Sequence, residues 1–154
     1  MHQMKAQMLI LLVCSCLVGD ETMAQTTPPR LLLVCGIEST LTTLSQAEVR
    51  KLFLGVPIDK NNLRLKPLRN ASDVRLTEVF LQKVIFMSKR EYDRQLVSRV
   101  FRSGGKRPSV FNDIMPLIAH LQAVPGTLTY MWSDQVEGNS DLNVIGVLWD
   151  ATIN

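Results

Sequence analysis

Leu44-Ser45-Gln46-Ala47-Glu48-Val49-Arg50-Lys51-Leu52-Phe53-Leu54-Gly55 reads as one short helix with both ends written into it. Ser45 is placed to cap the amino end, and Glu48, three residues on, completes a capping box. Val49, Leu52 and Phe53 share one face, while Glu48, Arg50 and Lys51 share the other. Gly55 provides the left-handed stop, and Pro57 prevents continuation. An apolar strand-like run precedes this helix and a second strand-like run follows it. The chain therefore opens strand, helix, strand, and the remainder has to pack around that unit.

Upstream, Leu31 to Cys35 is a continuous apolar run that ends at Gly36. Such a run suits a strand buried on both faces, as in a parallel sheet covered by helices. Residues 25–30 are expected to be a flexible lead-in. Residues 1–24 have the character of a secretory signal peptide: a polar start with His2 and Lys5, an apolar run from Met8 to Val18, and small residues before Gln25. The expectation is cleavage after Ala24 and a periplasmic or secreted product. Acylation at Cys16 is the alternative. Nothing later in the sequence is apolar enough for a span, so no membrane span is expected in the mature chain.

Downstream, Leu63 to Leu68 alternates apolar and basic residues and predicts a strand, with Pro67 at a sheet edge or strand terminus. A helix is predicted from about Asp73 to Met87, on the spacing of Leu76, Phe80 and Val84. Ser88 and Glu91 form a second capping box, opening a helix to about Arg102 with a basic outer face. A glycine hinge at Gly104-Gly105 follows. Ser109 is expected to cap another helix carrying Phe111, Ile114, Leu117, Ile118 and Leu121, with Pro116 as an irregularity. Thr127–Trp132 and Leu142–Trp149 read as strands. The expected order is β-α-β-α-α-α-β-β, an α/β domain over residues 31–150.

The chain has 154 residues, enough for one domain with one real core. Removing Lys5, Asp20 and Glu21 from its 17 basic and 14 acidic residues leaves 16 and 12, a net charge of +4. That excess is too mild for a nucleic-acid binder but suits an anionic small ligand or an acidic partner surface. The mature chain would retain one cysteine, Cys35, so no internal disulfide can form. Its apolar surroundings favour a buried thiol that acts as a small hydrophobe. His120 has no second histidine or cysteine at ligand spacing, so no metal site is expected. No cofactor motif, serine elbow, zinc-protease helix or phosphate-binding glycine loop is present, and no enzyme is expected.

Several stretches carry a family pattern in order. They are Leu44-Ser45…Glu48…Arg50…Phe53-Leu54-Gly55, the strand ending Leu65-Lys66-Pro67-Leu68-Arg69, and Ser72…Arg75…Phe80. Tyr92…Arg99…Phe101, the Gly104–Pro108 hinge and Pro125-Gly126-Thr127-Leu128-Thr129-Tyr130 complete the set. Together they resemble small single-lobe relatives of the substrate-binding proteins of phosphate ABC transporters, in the type 2 periplasmic binding protein superfamily. The resemblance implies a mixed sheet flanked by helices and an exported, non-catalytic binding protein. Full-length members hold phosphate between two lobes with a serine-glycine-threonine loop and a neighbouring arginine. Here the corresponding loop lacks the glycine and gains Asp73, and a mature chain of this length has room for one lobe.

Two anion sites are candidates. Arg69, Ser72 and Arg75 surround the start of the helix near Asp73, where free N–H groups favour an oxyanion. The alternative there is plain capping by Ser72 or Asp73, with the arginines solvated or paired with Asp73. Ser39 and Thr40, in the loop after the first strand, are the second candidate, with an ordinary polar loop as the alternative. Lys106-Arg107 beside the glycine hinge is a third anion or partner contact, against a solvated loop. Two functions follow. One is the binding of inorganic phosphate or a related oxyanion. The other is a ligand-free interaction module that contacts an envelope protein or forms a homodimer.

Overall fold

The apolar run of the first strand sets the layering, because alternate side chains of a strand point to opposite faces. A computed structural model describes residues 28–153. The expected signal peptide, the cleavage site, Cys16 and most of the lead-in lie outside the described residues. In β1 (Arg30–Gly36), Leu31, Leu33 and Cys35 enter one apolar cluster, while Leu32 and Val34 enter another. The first cluster also takes in α1 (Gln46–Phe53), α2 (Val74–Phe80), the π-helical turn Leu81–Ile85 and α3 (Lys89–Ser103). The second packs against α4 (Ile114–Ala123) and Val136 of the short α5 (Ser133–Val136). Helices thus cover both faces of one sheet.

That sheet is mixed. Two residue pairs, β2 (Asp59–Lys60) and β3 (Leu63–Arg64), form a small separate hairpin. Its turn residues Asn61 and Asn62 both have positive φ, as a two-residue loop of this twist requires. The main sheet adds β4 (Lys66–Asn70), β5 (Ser109–Phe111), β6 (Thr127–Trp132) and β7 (Leu142–Asp150) in the order β5-β4-β6-β1-β7. β4 runs parallel to β5 and β6, whereas β1 runs antiparallel to β6 and β7. The expected burial of β1 on both faces is therefore present, but its parallel neighbours are not. Helices on both faces demand an apolar strand whichever way its neighbours run.

The expected element order also changes. The predicted strand 63–68 divides into β3 and β4, and Pro67 lies at the start of β4, before β5 begins to pair at Leu68. Ser109 opens no helix: it pairs with Leu68 in β5, and Asp113 caps α4 instead, its side chain accepting the Met115 N–H. Pro116 then falls in the first turn of α4, where its missing N–H removes no helical bond. The long helix predicted from Asp73 widens into the π turn and stops at Phe86, which is left-handed.

Both capping boxes form as written, on Ser45–Glu48 and Ser88–Glu91. Gly55 stops α1 with φ of 82°. Beneath α1 and α2, Phe80 stacks on Tyr130 at 3.7 Å between centroids, and Phe53 meets Phe80 edge-on at 4.9 Å. Such pairs add about 0.5–1.5 kcal/mol each beyond burial. Tyr92 donates its buried hydroxyl to the Phe53 carbonyl at 2.8 Å, tying α3 to the end of α1. Cys35 is buried, its Sγ donates to the Asn143 carbonyl at 3.7 Å, and burial pushes its pKa up.

Candidate functional site

Strand direction decides which candidate residues meet. Leu31 pairs with Trp132 and Cys35 with Leu128, so the end of β1 lies beside the beginning of β6. β6 is parallel to β4, and the end of β1 therefore lies at the edge opposite the end of β4. Arg69 lies near the end of β4, and Ser72 and Arg75 follow it, at the carboxyl edge of the parallel strands. Ser39 and Thr40 follow β1 at the amino edge. The two candidate groups do not converge on one ligand.

Around the start of α2, at the carboxyl edge, the polar groups satisfy one another. Asp73 caps α2: its Oδ1 accepts the Arg75 N–H at 2.7 Å and the Leu76 N–H at 3.4 Å. Its Oδ2 accepts the Trp132 indole N–H at 2.8 Å. That indole bond is the main reason the Asp73 carboxyl lies below the usual range, with the backbone donors adding to it. Ser72 donates both its N–H (3.1 Å) and its hydroxyl (2.6 Å) to Asn70 Oδ1. Asn70, fully buried, donates to the Tyr130 carbonyl at 3.2 Å. Arg69 is only 14% exposed. It lies over the Tyr92 ring at 5.0 Å and reaches Asp93 at 3.4 Å, which also takes Lys89 at 2.8 Å. Arg75 is exposed.

This arrangement fills the positive end of α2 with the chain's own carboxylate. Of the alternatives at this loop, Asp73 is the cap, and Arg69 pairs with Asp93 rather than with Asp73. Trp132 and Asp93 are the partners that sequence reasoning missed. They stand 59 and 24 residues from the groups they bind. No local spacing could have signalled them.

At the amino edge, Ser39 and Thr40 line a cleft of about 550 Å³ with the β2–β3 turn and the end of α4. Ser39 Oγ accepts the Leu41 N–H at 3.3 Å, and the Thr40 carbonyl accepts from Asn61 at 3.3 Å. Glu38 and Asp141 are the charged residues lining this cleft. An oxyanion there would face two carboxylates and no lysine or arginine. A second amino-edge cleft, of about 510 Å³, has the opposite character. Arg64, Lys66, Lys106, Arg107 and His120 line it, and no acidic residue does. Among the described residues, no group of three or more His, Cys, Asp and Glu side chains could hold a metal ion. No helix among them is long and apolar enough to cross a membrane.

No protein-family model matches the chain, and no curated protein sequence matches it. Among solved structures it is similar to an ABC-type phosphate transport receptor from Vibrio cholerae, with a TM-score of 0.54 and 10% sequence identity. The match covers 77% of this chain and 46% of the receptor, so the chain spans less than half of that protein's length. At this identity the likeness concerns architecture: a periplasmic-binding-protein-like α/β fold, with a mixed sheet flanked by helices.

Proposed function

We propose that this chain is an exported, non-catalytic binding protein built on one lobe, acting as an interaction module. In this reading its carboxyl edge meets an envelope protein or a second copy of itself. The observation that carries the reading is the Asp73 carboxylate, which already occupies the amino end of α2 where an oxyanion would sit. The apolar groups along the same edge support it. Val74, at the start of α2, is 74% exposed, and Met115, at the start of α4, is 69% exposed. The two loops that lead into these helices are joined by the Ala71 N–H donating to the Phe111 carbonyl at 2.7 Å. Ile153, beyond the end of β7 at this edge, is 81% exposed. Exposed large apolar side chains of this kind favour a contact surface.

Sedimentation velocity and chemical crosslinking, with and without an envelope extract, test the reading. A self-associated or crosslinked species is expected, and Val74→Glu with Met115→Glu should abolish it. A strictly monomeric chain with no crosslinked partner would sink the proposal.

The likeness to a phosphate transport receptor favours a second reading, in which the domain binds phosphate or a similar oxyanion through Arg69, Ser72 and Arg75, or through Ser39 and Thr40. Titration calorimetry with inorganic phosphate and sulfate decides it. Heat that vanishes in Arg75→Ala supports the first of these sites, heat that vanishes in Ser39→Ala supports the second, and no heat with either anion removes this reading.

A further inference from the structure

The basic amino-edge cleft is the strongest feature that neither reading uses. It is formed where the turn after α1, the end of β3 and start of β4, the irregular segment leading into β5, the late part of α4 and the start of β6 meet. Three of its cations, Lys66, Lys106 and Arg107, make no ion pair with a described carboxylate, and only Arg64 does, with Asp59. Arg107 also influences Asp93. With Lys89 and Arg69 it holds that carboxyl low against the opposing effect of burial, but Asp93 already binds those other two cations. Unpaired like charges around a concavity repel one another and raise the local concentration of anions.

The walls add a second constraint. Between the cations lie Leu52, Leu65, Pro57, Pro67 and Pro108, an apolar lining that inorganic phosphate would not use. A cleft of about 510 Å³ is in the range of sites that enclose small organic molecules.

We propose that this cleft binds an organic polyanion of metabolite size, with its phosphate or carboxylate groups on Lys66, Lys106 and Arg107 and its carbon skeleton against the proline-lined wall. The site is independent of the carboxyl edge, so its failure leaves the interaction reading intact, and the reverse also holds.

The test is ligand-induced thermal stabilisation of the full chain with citrate, ATP and inorganic phosphate, each at matched ionic strength in sodium chloride. Any ligand that binds only the folded state raises its stability by mass action. Citrate, ATP or both should raise Tm by several degrees, and inorganic phosphate should raise it much less. A response to ATP alone marks the site as selective for phosphate groups, and a response to citrate alone marks it as selective for carboxylates. The Lys106→Glu/Arg107→Glu variant should lose the shift. Arg90→Glu/Arg94→Glu, the same charge change on the exposed face of α3, should keep it. A wild-type chain that neither citrate nor ATP stabilises overturns the proposal. So does a shift that survives in the Lys106/Arg107 variant, or one that the α3 variant loses equally.

Discussion

The two edges of the sheet solve opposite problems. At the carboxyl edge, the polar side chains around the start of α2 are closed on one another: Asp73 on Trp132 and α2, Ser72 on Asn70, Arg69 on Asp93. Farther along, the buried Trp149 indole N–H makes no hydrogen bond among the described residues. At the amino edge the backbone comes close and the charges stay open. A Cβ on Gly126 would stand 2.5 Å from the Arg64 carbonyl oxygen, and one on Gly36 would meet the Leu121 carbonyl. Lys66, Lys106 and Arg107 make no ion pair among the described residues. A satisfied edge is stable and has little left to offer an anion. An unsatisfied edge loses some stability to repulsion and keeps its binding capacity.

The largest expected effect lies beneath the carboxyl edge. Phe80→Ala removes a buried ring stacked on Tyr130 and packed on Phe53. It should cost about 3–5 kcal/mol, read as the shift of a urea unfolding midpoint. A loss under about 1 kcal/mol would mean that the aromatic trio does not hold this side of the sheet together.

At the amino edge the corresponding test is Gly126→Ala. Gly126 has φ of 80° and its neighbour is backbone, so neither strain nor clash can be relieved by a side-chain rotation. A loss of about 1–3 kcal/mol is expected. A neutral result would show that the hairpin carrying Arg64 is free to move away, and that the cleft is less fixed than the closed geometry implies.

The unequal legibility of the two edges follows from where their determinants sit. Caps are local. Ser45 with Glu48 and Ser88 with Glu91 were readable because donor and acceptor are three residues apart. The double burial of β1 was readable from Leu31 to Cys35 for the same reason. Strand direction is not local, so the antiparallel placement of β1, and with it the separation of Ser39–Thr40 from Arg69–Arg75, left no trace in spacing. Ser109–Phe111 reads as helix because Phe111 continues the apolar stripe of α4, while pairing with Leu68–Asn70 makes it a strand. Asp113, followed by Pro116 in the first turn, was the better helix start.

Asp73 tests how closed the carboxyl edge is. Asp73→Ala removes the α2 cap and orphans the Trp132 indole N–H, and a loss of about 1–2 kcal/mol is expected in the same unfolding assay. The pH dependence gives a finer reading. The folded pKa of Asp73 is depressed below its ordinary value of 3.8, chiefly by the indole bond. Its contribution is therefore complete above about pH 4–5 and is lost as pH falls through the lower folded value. Asp93, Asp150, Glu48 and Glu91 are depressed as well, so the informative quantity is the difference between wild type and Asp73→Asn. That difference should shrink as pH falls below 3.8. A constant difference from pH 7 to pH 2 would mean that the carboxylate is not what Trp132 binds.

The smallest effect is expected where the proposed ligand contacts are most numerous. Lys106 and Arg107 lie outside regular structure, both are exposed, and neither makes an ion pair among the described residues. Replacing both with glutamate should change stability by no more than about 0.5 kcal/mol. Relief of repulsion with Lys66 and Arg64 sets the expected sign as slightly stabilising at low salt, and added salt should erase it because exposed charges are screened. A loss of more than about 1 kcal/mol would place the two cations in a structural role. In that case the amino edge, like the carboxyl edge, would be closed on itself, and the contrast between them would fail.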